Sequence, residues 1–204
     1  MADKSELAPG FLLAAPNLRD PNFKKTVVLL ARHDDEGALG WVINGQPLAS
    51  VAELFKASGL FPEDTVFPEA PTFERIARIG GPVAPATGWL IYRTDDAPAG
   101  AEAGDEETPG EMDLGQGLAV TGEATAFAEF VADGDRVREF RLILGCAGWA
   151  PGQLEAEISE GAWMPAALDV DLVFDHDEEQ VWDEAYRRAI GASPAVFSGK
   201  PAKA

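Results

Sequence analysis

The single cysteine of this 204-residue chain stands where a nucleophile could be exposed. Cys146 follows the apolar run 142–144 and lies within the glycine-containing segment 145–148. A strand that breaks into a tight turn before a helix can present a Ser or Cys at the bend. A reactive thiol also needs a nearby base, and the sequence places neither His33 nor His176 beside it. We therefore interpret Cys146 as a buried structural thiol, and we name no catalytic residue.

Metal-type ligands occur together in the segment His33-Asp34-Asp35-Glu36, in consecutive positions of a predicted turn. A metal site needs ligands that converge from different directions, usually with helical or CxxC-like spacing. His176, which stands between two aspartates at a predicted helix start, does not meet that requirement either. The sequence therefore predicts a solvated turn, with no metal site and no cofactor.

Paired carboxylates and glycine-rich loops are the remaining candidates for chemistry. Glu155 and Glu157 stand two apart on a predicted helix, so their side chains point about 200° from each other and cannot share one substrate. The glycines of 80–82 and 148–152 could hold an anion with backbone amides. Neither segment has the Lys and Ser/Thr of a phosphate loop, and tight turns beside strands explain these glycines more simply.

Composition limits the class of protein. The chain carries 16 basic and 35 acidic residues, a net charge of −19, which disfavours direct binding to DNA or RNA. No run of about 18 apolar residues suggests a membrane span. The N-terminus lacks the features of a signal peptide, and a single cysteine fits a reducing compartment, so we expect a cytoplasmic protein.

The elements that would position these residues are strands with helices inserted irregularly. Residues 26–32 and 39–43 predict a β-hairpin that turns at Gly37. Ser50 and Glu53 form a capping box before an amphipathic helix. A strand at 137–144 is followed by a loop to residue 152 and a helix over 153–160. Residues 163–174 are predicted to be mostly extended, and a last helix over 178–190 is capped by Asp177.

This order favours a mixed sheet surrounded by helices over a regular βαβ winding. We expect a loose N-terminus at 1–10, one domain over 11–191 and a disordered tail at 192–204. Residues 95–117, rich in Ala, Gly, Asp, Glu and Pro, predict a mobile acidic surface loop within that domain.

Three blocks of sequence resemble one known family. The first runs from Ala15-Pro16 through Asp20-Pro21-Asn22-Phe23-Lys24 to Val42-Ile43-Asn44, the second includes Gly80-Gly81-Pro82-Val83 and Gly88-Trp89-Leu90, and the third runs from Leu144-Gly145 to Ala162-Trp163. In this order and spacing, over about residues 11–190, they resemble the YqgE/AlgH family. The resemblance implies an α+β fold: a single domain with a bifurcated, partly barrel-like mixed β-sheet surrounded by helices. It also implies a bacterial cytoplasmic protein of unsettled activity, for which a role as a transcriptional regulator has been proposed.

The chain departs from that family at three places. Cys146 replaces a residue that is mostly tyrosine, Tyr92 replaces a histidine, and Gly45-Gln46 stands where a basic residue usually follows the Ile-Asn pair. If the family shares a chemistry, it does not depend on Cys146 or on a histidine at position 92 in this protein.

The candidate binding residues are polar or amphipathic and lie in the family blocks at predicted strand or loop ends: Asp20, Asn44, Trp149, Gln153 and Glu155. We expect the three blocks to come together, so these residues could line one pocket or one protein-binding face. Alternatively, Trp149 is a core residue whose N–H bonds a backbone carbonyl.

The sequence favours a non-enzymatic binding or regulatory protein that acts through an unknown protein partner or small ligand. A hydrolase-like enzyme that uses carboxylates and backbone amides in a cleft is the alternative. A protein that binds DNA directly ranks last, because of the charge.

Overall fold

A computed structural model describes residues 7–62, 64–67, 71–94, 111–132, 139–174 and 179–198. The chain falls into two compact units. Unit 1 contains Met1–Gly45, Gly80–Val83 and Cys146–Ala204, and unit 2 contains Gln46–Ile79 and Ala84–Gly145. Most of the predicted acidic loop, residues 95–110, and His176 with its two aspartates lie outside the described residues.

The described elements alternate strands and short helices. The strands are β1 (Gly10–Ala14), β2 (Val27–Asp34), β3 (Gly37–Val42), β4 (Pro47–Ser50), β5 (Ile76–Ile79), β6 (Val83–Arg93), β7 (Glu111–Asp113), β8 (Leu118–Thr121), β9 (Phe140–Trp149) and β10 (Trp163–Ala167). The helices are α1 (Val51–Ala57), α2 (Pro71–Glu74), α3 (Ala124–Ala132), α4 (Gln153–Ser159), α5 (Val170–Phe174) and α6 (Val181–Ile190), followed by a 3-10 helix over Pro194–Ser198.

Unit 1 is built on the strand order β10-β1-β2-β3-β9, with antiparallel pairing throughout this series. All five residues of β1 are buried, as expected for a strand covered on both faces. Helix α6 is attached to this strand by two buried hydrogen bonds to the carbonyl oxygen of Ala14. Trp182 donates its indole N–H at 2.9 Å, and Tyr186 donates its hydroxyl at 3.1 Å. The predicted hairpin is confirmed as β2 and β3.

Unit 2 contains the order β9-β6-β8-β7, with β5 pairing parallel to β9 and antiparallel to β4. Its core is rich in phenylalanine, and the ring centroids of Phe73 and Phe140 lie 5.4 Å apart. The predicted capping box is confirmed at α1, where Glu53 N–H donates to Ser50 Oγ at 3.2 Å and Ser50 N–H donates to Glu53 Oε2 at 3.0 Å. The mixed, branched sheet with its helices confirms the predicted α+β class.

Strand β9 is longer than predicted, and this corrects the interpretation of the segment after Leu144. Instead of a loop at 145–152, the strand continues through Cys146 to Trp149. Gly145 has a φ of +75°, which is unusual for a strand residue, but the strand continues on both sides of it. The thiol therefore lies within a strand, and no nucleophile turn forms there.

Parts of all three family blocks meet in unit 1, as predicted. Residues 38–40 of β3 pair with residues 147–149 of β9, and the N–H of Val42 donates to the carbonyl of Gly80 at 2.8 Å. Two glycines permit this close approach. A Cβ at Gly37 would overlap the carbonyl of Trp149, and one at Gly81 would overlap the carbonyl of Cys146. Both also have φ values, +130° and +149°, that a residue with a side chain rarely adopts.

At four other places the local structure differs from the expected one. The extended segment ends at Ala167, and α5 follows because Asp169 accepts the N–H of Leu172 through its side chain at 3.3 Å. The last helix begins at Val181, where Gln180 makes no side-chain cap. The tail forms a 3-10 helix over Pro194–Ser198. Residues 111–113, expected in the acidic loop, pair with β8 as β7.

Candidate functional site

The carboxylate of Glu157 on α4 connects three side chains of unit 1. Its Oε2 accepts the indole N–H of Trp149 at 2.9 Å and that of Trp163 at 2.8 Å, and its Oε1 accepts the amide of Gln153 at 2.8 Å. Both indoles are buried, with 6% and 5% of their surface exposed. The ring of Phe23 packs on both indoles, with centroids 6.3 Å from Trp149 and 5.4 Å from Trp163. One carboxylate thus joins α4 to β9 and β10.

The predicted site residues Trp149 and Gln153 belong to this network. The burial of Trp149 agrees with the alternative of a core residue, but its acceptor is a carboxylate and not a backbone carbonyl. Gln153 is exposed, and its Oε1 accepts the N–H of Ala150 at 3.0 Å. The sequence marks Glu157 only as half of a carboxylate pair. The signal that could have identified it is the presence of two tryptophans that need an acceptor if buried.

Glu155 faces a different partner. Its Oε1 lies 3.4 Å from Nε2 of His33, whose side chain is 2% exposed. Because Glu155 contacts the histidine and Glu157 contacts the two indoles, the carboxylates point apart, as their spacing predicted. Among the described residues, no three histidine, cysteine or carboxylate side chains converge in a way that could hold a metal ion.

Asp20 and Asn44 form hydrogen bonds to the backbone of the segment that leads into β2. Asp20 is exposed, and its Oδ1 accepts the N–H of Asn22 at 2.8 Å. The side-chain amide of Asn44 bridges two backbone groups, because it accepts the N–H of Val27 at 2.8 Å and donates to the carbonyl of Lys25 at 3.0 Å. Lys25 has a φ of +57°, so Asn44 braces a strained residue at the strand entry. All five predicted residues lie in unit 1, where Trp149 and Gln153 share the Glu157 network.

Cys146 is buried, and burial raises the pKa of its thiol above the ordinary value. A raised pKa reduces the fraction of thiolate near neutral pH, which is the opposite of what a nucleophile requires. This position supports the structural interpretation of the cysteine.

Unit 2 contains a half-open cleft that the sequence did not reveal, with a volume of about 380 Å³. Its walls come from α1 and the residues after it, from α3, from β6 and from β9. The larger side chains are apolar: Leu54, Phe55, Leu60, Phe127, Leu142 and Leu144. The rings of Phe55 and Phe127 stack with centroids 5.9 Å apart, and Leu60 is 46% exposed.

Small residues and one hydroxyl complete the lining of this cleft. Ala57, Ala86 and Gly88 add little bulk, and so leave the space open. The hydroxyl of Ser58 donates to the carbonyl of Phe55 at 2.7 Å and accepts the N–H of Leu60 at 3.1 Å. None of the described residues that line the cleft has a charged side chain. The arrangement can hold an apolar group.

The structure defines a class of protein: an α+β protein with a branched, mixed sheet and an apolar cleft. A family model described as AlgH-like matches residues 11–194. A UPF0301 protein from Anaeromyxobacter sp. (strain K) is 42% identical over 198 residues, which cover 94% of this chain and 91% of that protein. A UPF0301 protein from Xanthomonas campestris pv. campestris (strain B100) is 35% identical over 182 residues, covering 89% and 88%. The chain belongs to the AlgH-like family.

Solved structures share this fold. The solution structure of the AlgH protein from Pseudomonas aeruginosa matches with a TM-score of 0.69 at 27% identity, covering 100% of this chain and 99% of that chain. The crystal structure of protein DIP2367 from Corynebacterium diphtheriae matches with a TM-score of 0.70 at 23% identity, covering 97% and 95%. These matches confirm the fold that the family resemblance implied. Across the described residues, no helix is long and apolar enough to cross a membrane.

Proposed function

We propose that this protein is a non-enzymatic binding protein of the cytoplasm, whose ligand is a small apolar molecule held in the cleft of unit 2. The observation that carries the proposal is the cleft itself, with its volume of about 380 Å³ and its uncharged lining. Pockets for small molecules have volumes of roughly 300–1,000 Å³ and mostly apolar walls. In a regulatory role, a partner would respond to whether the cleft is occupied or empty.

The size of the cleft favours a small ligand over a protein as its direct occupant. A stable protein–protein interface buries about 1,600 Å² of surface in total. The walls of a cleft of this volume offer far less surface than that. A ligand that buries about 250 Å² of apolar surface gains about 6 kcal/mol at 25 cal/mol/Å². The dissociation constant is therefore no tighter than the order of tens of micromolar.

The polar residues of unit 1 support binding over hydrolysis. The polar groups of three predicted site residues, Trp149, Gln153 and Asn44, form hydrogen bonds within the protein. The two carboxylates of α4 face different partners. A hydrolase that uses two carboxylates on one substrate needs them to converge. We therefore place the ligand in unit 2 and give the residues of unit 1 a structural role.

The test is binding of the neutral fluorescent probe N-phenyl-1-naphthylamine to the full chain. Ala57→Trp and Ala86→Trp each put an indole into the cleft from a different wall, while Ala156→Trp puts the same bulk on an exposed helix position of unit 1. We expect the wild-type protein and Ala156→Trp to bind the probe saturably, and both cleft variants to lose at least tenfold in affinity. Equal binding by all four proteins, with folding verified by circular dichroism, would contradict the proposal.

A further inference from the structure

One loop of unit 1, residues 19–25 before β2, carries a cluster of cations. Arg19, Lys24 and Lys25 all lie on this loop, and all three are exposed. Within the part of the chain that the structure describes, none of these three side chains forms an ion pair with a carboxylate. The other described lysine and arginine side chains of unit 1 do form such pairs: Arg32, Arg187 and Arg188. The cations of the loop are therefore available to a partner.

The carboxylates on and next to this loop are engaged by other groups. Asp20, the one acidic residue of the loop, accepts the N–H of Asn22 through Oδ1 at 2.8 Å. Helix α6 contacts the loop, and its Glu184 accepts hydrogen bonds from two arginines of the same helix. Its Asp183 accepts a serine hydroxyl at 3.4 Å. Three cations and one carboxylate give the loop a charge of +2, in a chain whose net charge is −19.

Contacts with the rest of unit 1 hold the loop in one conformation. The carbonyl of Asp20 accepts the N–H of Phe23 at 3.1 Å and that of Lys24 at 2.8 Å, which closes a single helical turn. The ring of Phe23 packs on the two buried indoles of the Glu157 network. Nζ of Lys25 lies 5.7 Å from the ring centroid of Trp182 on α6, which is a cation–π contact. The cations are thus positioned before any partner binds.

The backbone of Lys25 is strained, and the strain is held by one side chain. Its φ of +57° is a left-handed conformation, which glycine adopts at much lower cost than lysine. The amide of Asn44 donates to the carbonyl of Lys25 at 3.0 Å and accepts the N–H of Val27 at 2.8 Å. Strained residues persist where their surroundings hold them, and they are concentrated at functional sites. Here the strained residue is a cation at the surface.

We infer that residues 19–25 form a docking surface for an acidic segment of a partner protein, whose carboxylates pair with Arg19, Lys24 and Lys25. Asn44 is a positioning residue, because it holds the backbone of Lys25. This inference goes beyond the proposed function and does not depend on the cleft of unit 2.

The charge of the chain selects an acidic segment over other anionic partners. A nucleic acid or an anionic membrane extends far beyond the loop, and would also face the acidic remainder of the surface. A short acidic segment meets only the loop, because charges more than about 8 Å away are largely screened at physiological ionic strength.

Two double variants separate the loop from the total charge. Lys24→Gln with Lys25→Gln removes two cations of the loop and leaves side chains that can still donate hydrogen bonds. Lys56→Gln with Arg75→Gln removes two exposed cations of unit 2 and serves as the matched control. Both changes add two to a net charge of −19 and give −21, so any difference between them comes from the position of the charges.

The experiment is an NMR titration of the full chain with an unlabelled oligoglutamate peptide, at constant ionic strength. We expect saturable shifts for the amides of residues 19–25 in the wild type and in the unit 2 control. The loop variant should bind at least fivefold more weakly, because one exposed ion pair contributes up to about fivefold. Asn44→Ala retains every charge, so it should weaken binding but keep the salt dependence of the wild type, whereas the loop variant should reduce that dependence.

Three results would overturn the inference, with folding verified by circular dichroism. The first is an absence of saturable shifts in the wild type, and the second is equal binding by the two double variants. The third is tighter binding to a short DNA duplex or to phosphatidylglycerol vesicles than to the peptide, which would make the partner a nucleic acid or a membrane. None of these results affects the proposed function, which is tested by the cleft variants Ala57→Trp and Ala86→Trp.

Discussion

Removal of the Glu157 carboxylate is expected to destabilise unit 1 strongly. In Glu157→Ala, the indole N–H groups of Trp149 and Trp163 lose their acceptor while the rings stay buried. A buried donor left without an acceptor costs about 1–3 kcal/mol. Two such donors give an expected loss of about 2–6 kcal/mol in the free energy of unfolding. Gln153 contributes little to this sum, because it is exposed.

Glu157→Gln should be milder, and the geometry gives the reason. Both indoles donate to the same oxygen, Oε2, so a single amide oxygen at that position can still accept both. The new NH₂ group then faces the NH₂ group of Gln153, so two donors meet. The amide of Gln153 cannot flip to offer its oxygen, because that oxygen accepts the N–H of Ala150. The remaining indole bonds also lose the strength that a charged acceptor gives. We expect a loss of about 1–2 kcal/mol.

Urea unfolding followed by circular dichroism measures these differences, and the indole N–H signals of the two tryptophans report on the bonds themselves. Glu160→Ala, at the exposed end of α4, serves as the control and should stay within about 0.5 kcal/mol of the wild type. The reasoning is refuted if Glu157→Ala unfolds like Glu160→Ala, or if Glu157→Gln is as damaging as Glu157→Ala.

Three further predictions concern a cap, the thiol and a close approach. The backbone and side-chain hydrogen bonds from Ser50 lower the pKa of Glu53 below its ordinary 4.5. The ionised carboxylate therefore stabilises the folded protein above pH 4.5, and this stabilisation is lost as the pH falls through the folded-state pKa. Ser50→Ala should raise this pKa in an NMR titration of the carboxyl group, and an unchanged pKa would argue against the cap. Because burial raises the pKa of Cys146, a disulfide reagent should label the thiol slowly at pH 7.5 in the native protein and rapidly in urea; fast native labelling would contradict its structural role. Gly81→Ala should cost more than about 2 kcal/mol in unfolding free energy, through backbone strain and overlap with β9, whereas Gly161→Ala, with a φ of +76° in open space, should lose only about 1 kcal/mol.

Local signals in the sequence were sufficient for several elements of the fold. The hairpin of β2 and β3 and the capping box of α1 were predicted because turn residues and side-chain caps act over a few positions. The meeting of the three blocks followed from the family resemblance. The α5 segment was missed because a short apolar run fits either a strand or a buried helix.

The functional sites were harder to predict, because each depends on contacts between distant residues. Glu157 lies eight positions after Trp149 and six positions before Trp163. That spacing does not indicate that both rings are buried and bonded to one carboxylate. The cleft depends on Leu54 and Leu144 being only partly covered, although their hydrophobic character suggests full burial. Hydrophobic patterning predicts which face turns inward, but not where the packing is incomplete.

The measurement that tests the central claim most directly is a titration of the full chain with N-phenyl-1-naphthylamine, followed by NMR of the leucine methyl groups. The account predicts saturable shifts for the cleft residues Leu54, Leu142 and Leu144, and none for Leu12 in the core of unit 1. Saturable shifts confined to unit 1, or no shifts up to the solubility limit of the probe, would contradict it.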